Sequence, residues 1–253
     1  MQLAIDIGNT NIHIGIFEED ILRSTHTVGS GSLHQTNFTK ILTPAIFFKT
    51  QAVILASVNP QAEACVIEYL GKHSPVQPCR IGKEIPIPMP ILTESPEMVG
   101  IDRLVNAIAA FERTKNPAIV VDAGTAITID GINEKGAFLG GIIAPGIGMS
   151  LKALHHATAL LPLVSISKPK NVFGKNTEEA IRSGIFWGTV GMIHQVIDMM
   201  SNEMKCQPPV IVTGGDASVL APELPVATTV LPYLTLEGIH LAYKINIASL
   251  LPY

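Results

Sequence analysis

The chain is poor in charge, in aromatic rings and in cysteine, and each shortage excludes something. Only 15% of its 253 residues are charged while 47% are hydrophobic, which excludes a disordered, solvating polymer and leaves a compact, Ile-rich globular protein. The net charge is −4 and no run of Lys or Arg occurs, so there is no electrostatic footprint for nucleic acid. The three cysteines, Cys65, Cys79 and Cys206, have no C-x-x-C spacing, which argues against a disulfide framework and against a zinc knuckle. No stretch of about 18 uncharged apolar residues runs uninterrupted, so no membrane span is expected. A Walker-type G-x-x-x-x-G-K-[ST] is missing too, because Gly174-Lys175 lacks the upstream glycine. Met1-Gln2 pass straight into a strand with no basic leader or cleavage site, which predicts a cytoplasmic protein.

What is present is a repeat. Asp6-Ile7-Gly8-Asn9-Thr10-Asn11 and Asp122-Ala123-Gly124-Thr125-Ala126-Ile127 are each entered from a β-branched strand, and each is followed at the same offset by Gly-Ile, Gly15-Ile16 and Gly131-Ile132. Both read as hairpin turns suited to phosphate. A glycine two residues after an aspartate lets the backbone approach an anion, neighbouring amides and Thr or Asn side chains donate, and the carboxylate can hold a cation. Either turn alone is an ordinary hairpin. Two with matching flanks point to internal duplication, and to a nucleotide held between the halves.

The remaining pattern fits two α/β halves. Alternating apolar residues predict strands over 3–7 and 12–17, a third near 20–28, and a helix over 34–42. A buried strand over 51–58 is closed by Asn59-Pro60 and followed by a helix over 61–72. Pro86, Pro88, Pro90 and Pro96 make 85–96 an extended loop. A helix then carries Asp102 and Arg103 in its first turns until Asn116-Pro117 stops it. The strand pattern restarts at Ala118, which sets the halves at 1–116 and 117–253. In the second half 139–146 reads as a Gly/Pro-rich bend, 150–159 as a helix, 209–213 as a strand and 236–250 as the closing helix. Asn176 or Thr177 caps a long helix towards Met200, with acids in its first turn.

With these pieces placed, the chain resembles the type III pantothenate kinases, members of the actin-like, sugar kinase and chaperone ATPase superfamily. The resemblance rests on the two turns, Gly100-Ile101-Asp102-Arg103, Gly140-Gly141 with Pro145-Gly146, Gly174-Lys175-Asn176-Thr177, and Thr213-Gly214-Gly215-Asp216. It implies an α/β fold of two duplicated actin-like (ribonuclease H-like) domains with a nucleotide cleft between them. It also implies transfer of the γ-phosphoryl group of ATP to the primary hydroxyl of pantothenate, the first step towards coenzyme A. Carried over by position, Asp102 resembles the catalytic base, and Arg103 the ligand of the pantothenate carboxylate. Gly100, Ile101 and Thr177 join them in binding substrate, Thr177 from a neighbouring subunit, which implies a homodimer. The run Asp6, Ile7, Gly8, Asn9, Thr10, Asn11, Ile12, His13 lies along ATP with Thr125 on a phosphate. Asp6 sits beside magnesium, and Asp122 resembles the ligand of a monovalent cation, K+ or NH4+. One position departs: Thr93 stands where many relatives have a tyrosine.

Other readings stay open. Asp102 beside Arg103 is, by itself, a helix-start acid next to a surface arginine, and Thr177 can be a plain cap. His155-His156 do not share a helix face, which argues against a metal pair. The acceptor could be another small molecule such as a sugar or short acid, because fold and phosphate turns do not fix it. A non-catalytic regulatory relative is the remaining alternative, disfavoured by the presence of both Asp6 and Asp102.

Overall fold

The β-branched runs become strands in the order their alternation dictates. The structure, a computed structural model, describes residues 1–32, 35–224 and 228–250. In the first half β1 (Gln2–Ile7), β2 (Asn11–Glu18) and β3 (Ile21–Gly29) form an antiparallel meander. Helices α1 (Gln35–Ile41) and α2 (Pro44–Lys49) lead to β4 (Ala52–Ser57), which runs parallel to β1. Then come α3 (Pro60–His73), β5 (Pro78–Arg80) and α4 (Ile101–Thr114). Asn59 starts α3 by accepting a hydrogen bond from the Ala62 amide at 3.1 Å, as an N-cap should. The expected start of the first helix, His34, lies outside the described residues.

The second half repeats the plan. Strands β6 (Ala118–Ala123), β7 (Ala126–Ile132) and β8 (Phe138–Pro145) form a meander, followed by α5 (Ile147–His156) and α6 (Thr177–Met204). Strand β9 (Val210–Thr213) runs parallel to β6, and α7 (Ala217–Leu220), β10 (Thr228–Val230) and α8 (Leu234–Leu250) complete the chain. The sheet orders are β3-β2-β1-β4-β5 and β10-β9-β6-β7-β8. Taken from the same edge, each runs third, second, first, fourth, fifth, so one topology occurs twice.

Three expectations need correction or adjustment. Residues 139–146 are not a bend but most of β8, paired with β7 along its length. Their glycines serve close pairing: Gly140 has φ +113°, and a Cβ on Gly141 would run into the Ile129 carbonyl and the Asp130 carboxylate. The Gly-Ile pairs, equal in sequence offset, are not equal in space. Gly15 faces Ala4 of β1, whereas Gly131 faces Ile119 of β6, because the second hairpin turn is one residue shorter. The compact units also divide differently from the expected halves: Met1–Pro90, Glu94–Glu112 and the chain from Leu234 onward form one, Ile91–Thr93 and Arg113–Tyr233 the other. The closing helix α8 thus packs with the first sheet, through Leu236, Ile239 and Ala242.

Apolar strand residues of both sheets pack against helices. Leu3, Ile5, Ile7, Ile12 and Ile14 meet Val66 and Leu70 of α3 on one face of the first sheet. On its other face Ala4, Phe17 and Ile54 meet Val105 and Ile108 of α4. In the second unit Ile119, Val121, Ile127 and Ile129 pack on Phe186, Val190, Ile193 and Ile197 of α6.

Candidate active site

Within the first unit, Asp6 lies on β1 in alternation with Ala4, so its side chain belongs to the face that α4 covers. The turn after it is closed by the Gly8 amide donating to the Asn11 carbonyl at 2.9 Å. A Cβ on Gly8 would come within 3.0 Å of that carbonyl oxygen, so glycine allows the tight closure. Two distant residues fix the turn from behind. Ser30 donates from its hydroxyl to the Gly8 carbonyl at 2.8 Å and from its amide to the Thr10 carbonyl at 2.8 Å, and the Asn59 amide reaches the Gly8 carbonyl at 3.5 Å. Asn9, Thr10 and Asn11 are left exposed at the tip, whereas Ile7 and Ile12 are fully buried. Of the run expected along ATP, those two isoleucines can offer a ligand only backbone. His13 sits opposite Asp6 on β2 and opposite Thr27 on β3, with Nδ1 3.0 Å from the Thr27 hydroxyl. Burial lowers its pKa, which favours the neutral ring.

The first turn of α4 brings Gly100, Ile101, Asp102 and Arg103 together in the same unit. Asp102 folds back over the helix start, where its Oδ1 accepts the Arg103 amide at 2.8 Å. That posture explains the glycine two residues earlier, since a Cβ at Gly100 would stand 2.5 Å from the same Oδ1. Burial raises the Asp102 pKa, and the Arg103 amide and charge pull against it. A carboxylate whose pKa is raised by burial is better suited to take up a proton, although the helix N-terminus favours its ionised form. Ile101 faces inward instead and packs with Ile81 and Ile85.

In the second unit three loops converge. The turn after β6 is closed by the Gly124 amide donating to the Ala126 carbonyl at 3.0 Å. Gly146, which starts α5, donates to the Thr125 carbonyl at 3.1 Å, and a Cβ there would collide with the Gly124 and Thr125 carbonyls. From the other side, the Asp216 amide donates to the Ala123 carbonyl at 2.9 Å. Gly214, at φ +93°, is wedged so close that a Cβ would lie 2.6 Å from Asp122 Oδ1. Thr125 and Gly215 are exposed at this junction, and burial raises the Asp216 pKa. Asp122 shares a rung with Thr213 of β9 and Thr128 of β7, and the Thr128 hydroxyl is buried with no hydrogen-bond partner.

Thr177 opens α6, but Asn176 is the cap: its side chain accepts the Glu179 amide at 2.9 Å, while Glu179 accepts the Lys175 amide at 2.8 Å. The Thr177 side chain is therefore not spent on capping, and it is exposed in an open depression with Leu160, Pro162, Asn176 and Glu178. Sequence reasoning did not find Ser30 or Asn59. Their hold on the turn spans 22 and 51 positions, and no local pattern marks such a tether. Gly146 and Gly214 carried a signal, a Pro-Gly or Gly-Gly pair at a strand end, but not the reason for it.

A model of the type III pantothenate kinase family matches residues 2–199. A type III pantothenate kinase from Moorella thermoacetica is 41% identical over 253 residues, covering 97% of this chain and all of the relative. Among solved structures, one named for a Baf family transcriptional activator from Campylobacter jejuni superposes with TM-score 0.64 at 24% identity, over 97% of this chain and 99% of that one. Another, named for a 2-dehydro-3-deoxygalactonokinase from Sinorhizobium meliloti, gives 0.60 at 10% identity with both chains fully covered. These two speak for the fold alone, the α/β actin-like fold of the sugar kinases. The chain belongs to the type III pantothenate kinase family, whose enzymes phosphorylate pantothenate for coenzyme A synthesis, using ATP with a divalent metal ion.

Proposed function

We propose that Asp102 is the base that accepts the proton of the pantothenate hydroxyl, and that Arg103 holds the substrate carboxylate. The observation that carries this is the carboxylate of Asp102, desolvated at the first turn of α4 with its pKa raised by burial. Gly100 and Ile101 complete that end of the substrate site through their backbone. An arginine at a helix N-terminus can bind an anion with two parallel bonds, aided by unpaired amides. In the first unit the run Asp6 to His13 is the ATP-binding turn, with Asn9, Thr10 and Asn11 offering exposed donors. In the second, Thr125 contacts a phosphate. Since phosphoryl transfer needs mainly positioning and charge neutralisation, these residues do most of their work by holding groups in line.

Magnesium fits this donor set through Asp6. Among the described residues no three His, Cys, Asp or Glu side chains cluster as a metal site, so a divalent ion there would take its other ligands from phosphate and water, as magnesium does. When bound it neutralises phosphate charge. A monovalent cation, potassium or ammonium, is assigned to Asp122. Support comes from the buried, unpaired Thr128 hydroxyl on the same rung, an oxygen that a cation would satisfy.

The working form is a homodimer in which Thr177 serves the partner's substrate. Leu160, 91% exposed in the same depression as Thr177, and Val172 and Phe173, 65% and 79% exposed a few positions ahead of it, are apolar side chains suited to a second copy. The enzyme works in the cytoplasm, in keeping with three unpaired cysteines. No helix among the described residues is long and apolar enough to cross a membrane.

The deciding assay is pantothenate-dependent ADP formation with and without potassium. Wild type should need both, and Asp122→Asn should keep residual turnover that no longer responds to potassium. Turnover only with a sugar or short acid, or an undiminished potassium response in Asp122→Asn, would overturn the corresponding assignment.

A further inference from the structure

Helix α4 carries Asp102 and Arg103, and a directional hydrogen bond can fix its rotation about its axis more sharply than apolar packing, whose driving force has no direction. Asn106 lies one turn after Asp102, on the same face of α4. It is 1% exposed, in a stretch where Leu104, Val105, Ala107, Ile108, Ala109 and Ala110 are all apolar and buried. A buried amide in such company is costly unless its hydrogen bonds are made. Asn106 Oδ1 accepts the Thr235 hydroxyl at 2.8 Å, joining α4 to the first turn of α8. One turn along α8, Gly238 brings the two backbones into contact, since a Cβ there would run into the Val105 carbonyl. Farther along, α8 is pinned to the turn between β2 and β3: His240 stacks on Phe17 with ring centres 4.3 Å apart and bonds Asp20 at 3.2 Å, and Lys244 reaches Asp20 at 2.6 Å. So α8 is a fixed strut, and α4 leans on it at two neighbouring points, one steric and one directional.

We propose that Asn106, held by Thr235, is a positioning residue for phosphoryl transfer: the bond sets the rotation of α4 and thereby the place of the Asp102 carboxylate and the Arg103 guanidinium. It does not touch substrate. Its leverage comes from proximity, because a displacement of about 1 Å at a reacting group can cost roughly a hundredfold in rate. The inference rests on Asp102 being the base.

The test is Thr235→Val, which keeps the shape and removes the hydroxyl, with Thr235→Ser as rescue and Asn106→Leu as companion. Thr235→Val should lower kcat about tenfold with the KM for ATP unchanged, and Thr235→Ser should recover most of it. In an Asp102→Asn background the same change should have little further effect. An unchanged kcat alongside a lowered thermal midpoint would reduce the bond to packing and overturn the proposal. So would equal slowing in both backgrounds. Should Asn106→Leu fail to fold, the Thr235 series decides by itself. Near-normal turnover of Asp102→Asn would instead sink the base assignment, whatever Thr235→Val does, whereas a slow Asp102→Asn with an unaffected Thr235→Val would sink only the positioning role.

Discussion

The two units solve one problem by different means. Each ends its first strand in an Asp-x-Gly turn on a sheet of the same strand order. In the first, the turn is longer and is tethered by side chains: the Ser30 hydroxyl and the Asn59 amide both reach the Gly8 carbonyl. In the second, the turn is shorter and is wedged by backbone: Gly146 and Gly214 press on it from neighbouring loops, where no side chain would fit. The two units share one topology, while the local bracing of their turns differs. A tether can be cut with one hydrogen bond lost. A wedge cannot be altered without moving the main chain.

The units differ also in chemistry, and the largest expected effect tests that difference. The first unit holds the proposed base, so Asp102→Asn should lose about 10² to 10⁴-fold in kcat, the usual worth of general base catalysis. Stability should move the other way. The folded pKa of Asp102 is raised, so its contribution to stability is present below the unfolded carboxyl pKa and lost as pH rises through the folded value. At neutral pH the ionised carboxylate is a burden, and the amide should unfold no earlier than wild type. In wild type kcat should fall as pH drops through that raised pKa, an acid limb above the ordinary 3.8, and the limb should vanish in the variant. A kcat profile flat down to pH 4 would break the contrast.

Next in size is the bracing itself. Gly214→Ala must place a methyl at φ +93°, at a cost of about 1 to 2 kcal/mol, and must push the Ala123 backbone and the Asp122 carboxylate aside. Its KM for ATP should rise tenfold or more. Ser30→Ala removes a single part-buried hydrogen bond, worth about 1 kcal/mol, and should raise that KM severalfold at most. Titrating ATP against initial rate in the two variants checks the order. If Ser30→Ala proved the more damaging, the distinction between tether and wedge would fail.

Much of this was legible in the sequence because strands and turns announce themselves locally. The alternation around Asp6 and Asp122 located both hairpins, and Gly-x-Asp-Arg before an apolar helical run located the start of α4. What misled was the assumption that a residue has one use. Gly140-Gly141 read as a bend because glycine usually marks one, yet here the missing Cβ lets β8 lie against β7. The equal offset of Gly15-Ile16 and Gly131-Ile132 suggested equivalent rungs, and a turn shorter by one residue moved them out of register. Ser30, Asn59, Thr235 and the return of α8 to the first sheet were invisible for a common reason. They are long-range contacts between residues whose own neighbourhoods look ordinary.

The smallest effect separates two neighbours at the start of α6. Asn176 and Thr177 both suit a helix N-terminus, but only Asn176 accepts the Glu179 amide. Asn176→Ala should therefore cost about 1 kcal/mol, the worth of a cap, and lower the thermal midpoint by about 2 to 4 °C. Thr177→Val keeps the cap and the shape while removing an exposed hydroxyl, so its thermal midpoint should match wild type while its KM for pantothenate rises. Scanning fluorimetry on both variants, with pantothenate titrations, resolves the pair. A lowered midpoint with unchanged KM in Thr177→Val would make that hydroxyl part of the helix start, and the second unit would then hold only nucleotide and cation groups, with every substrate contact left to the first.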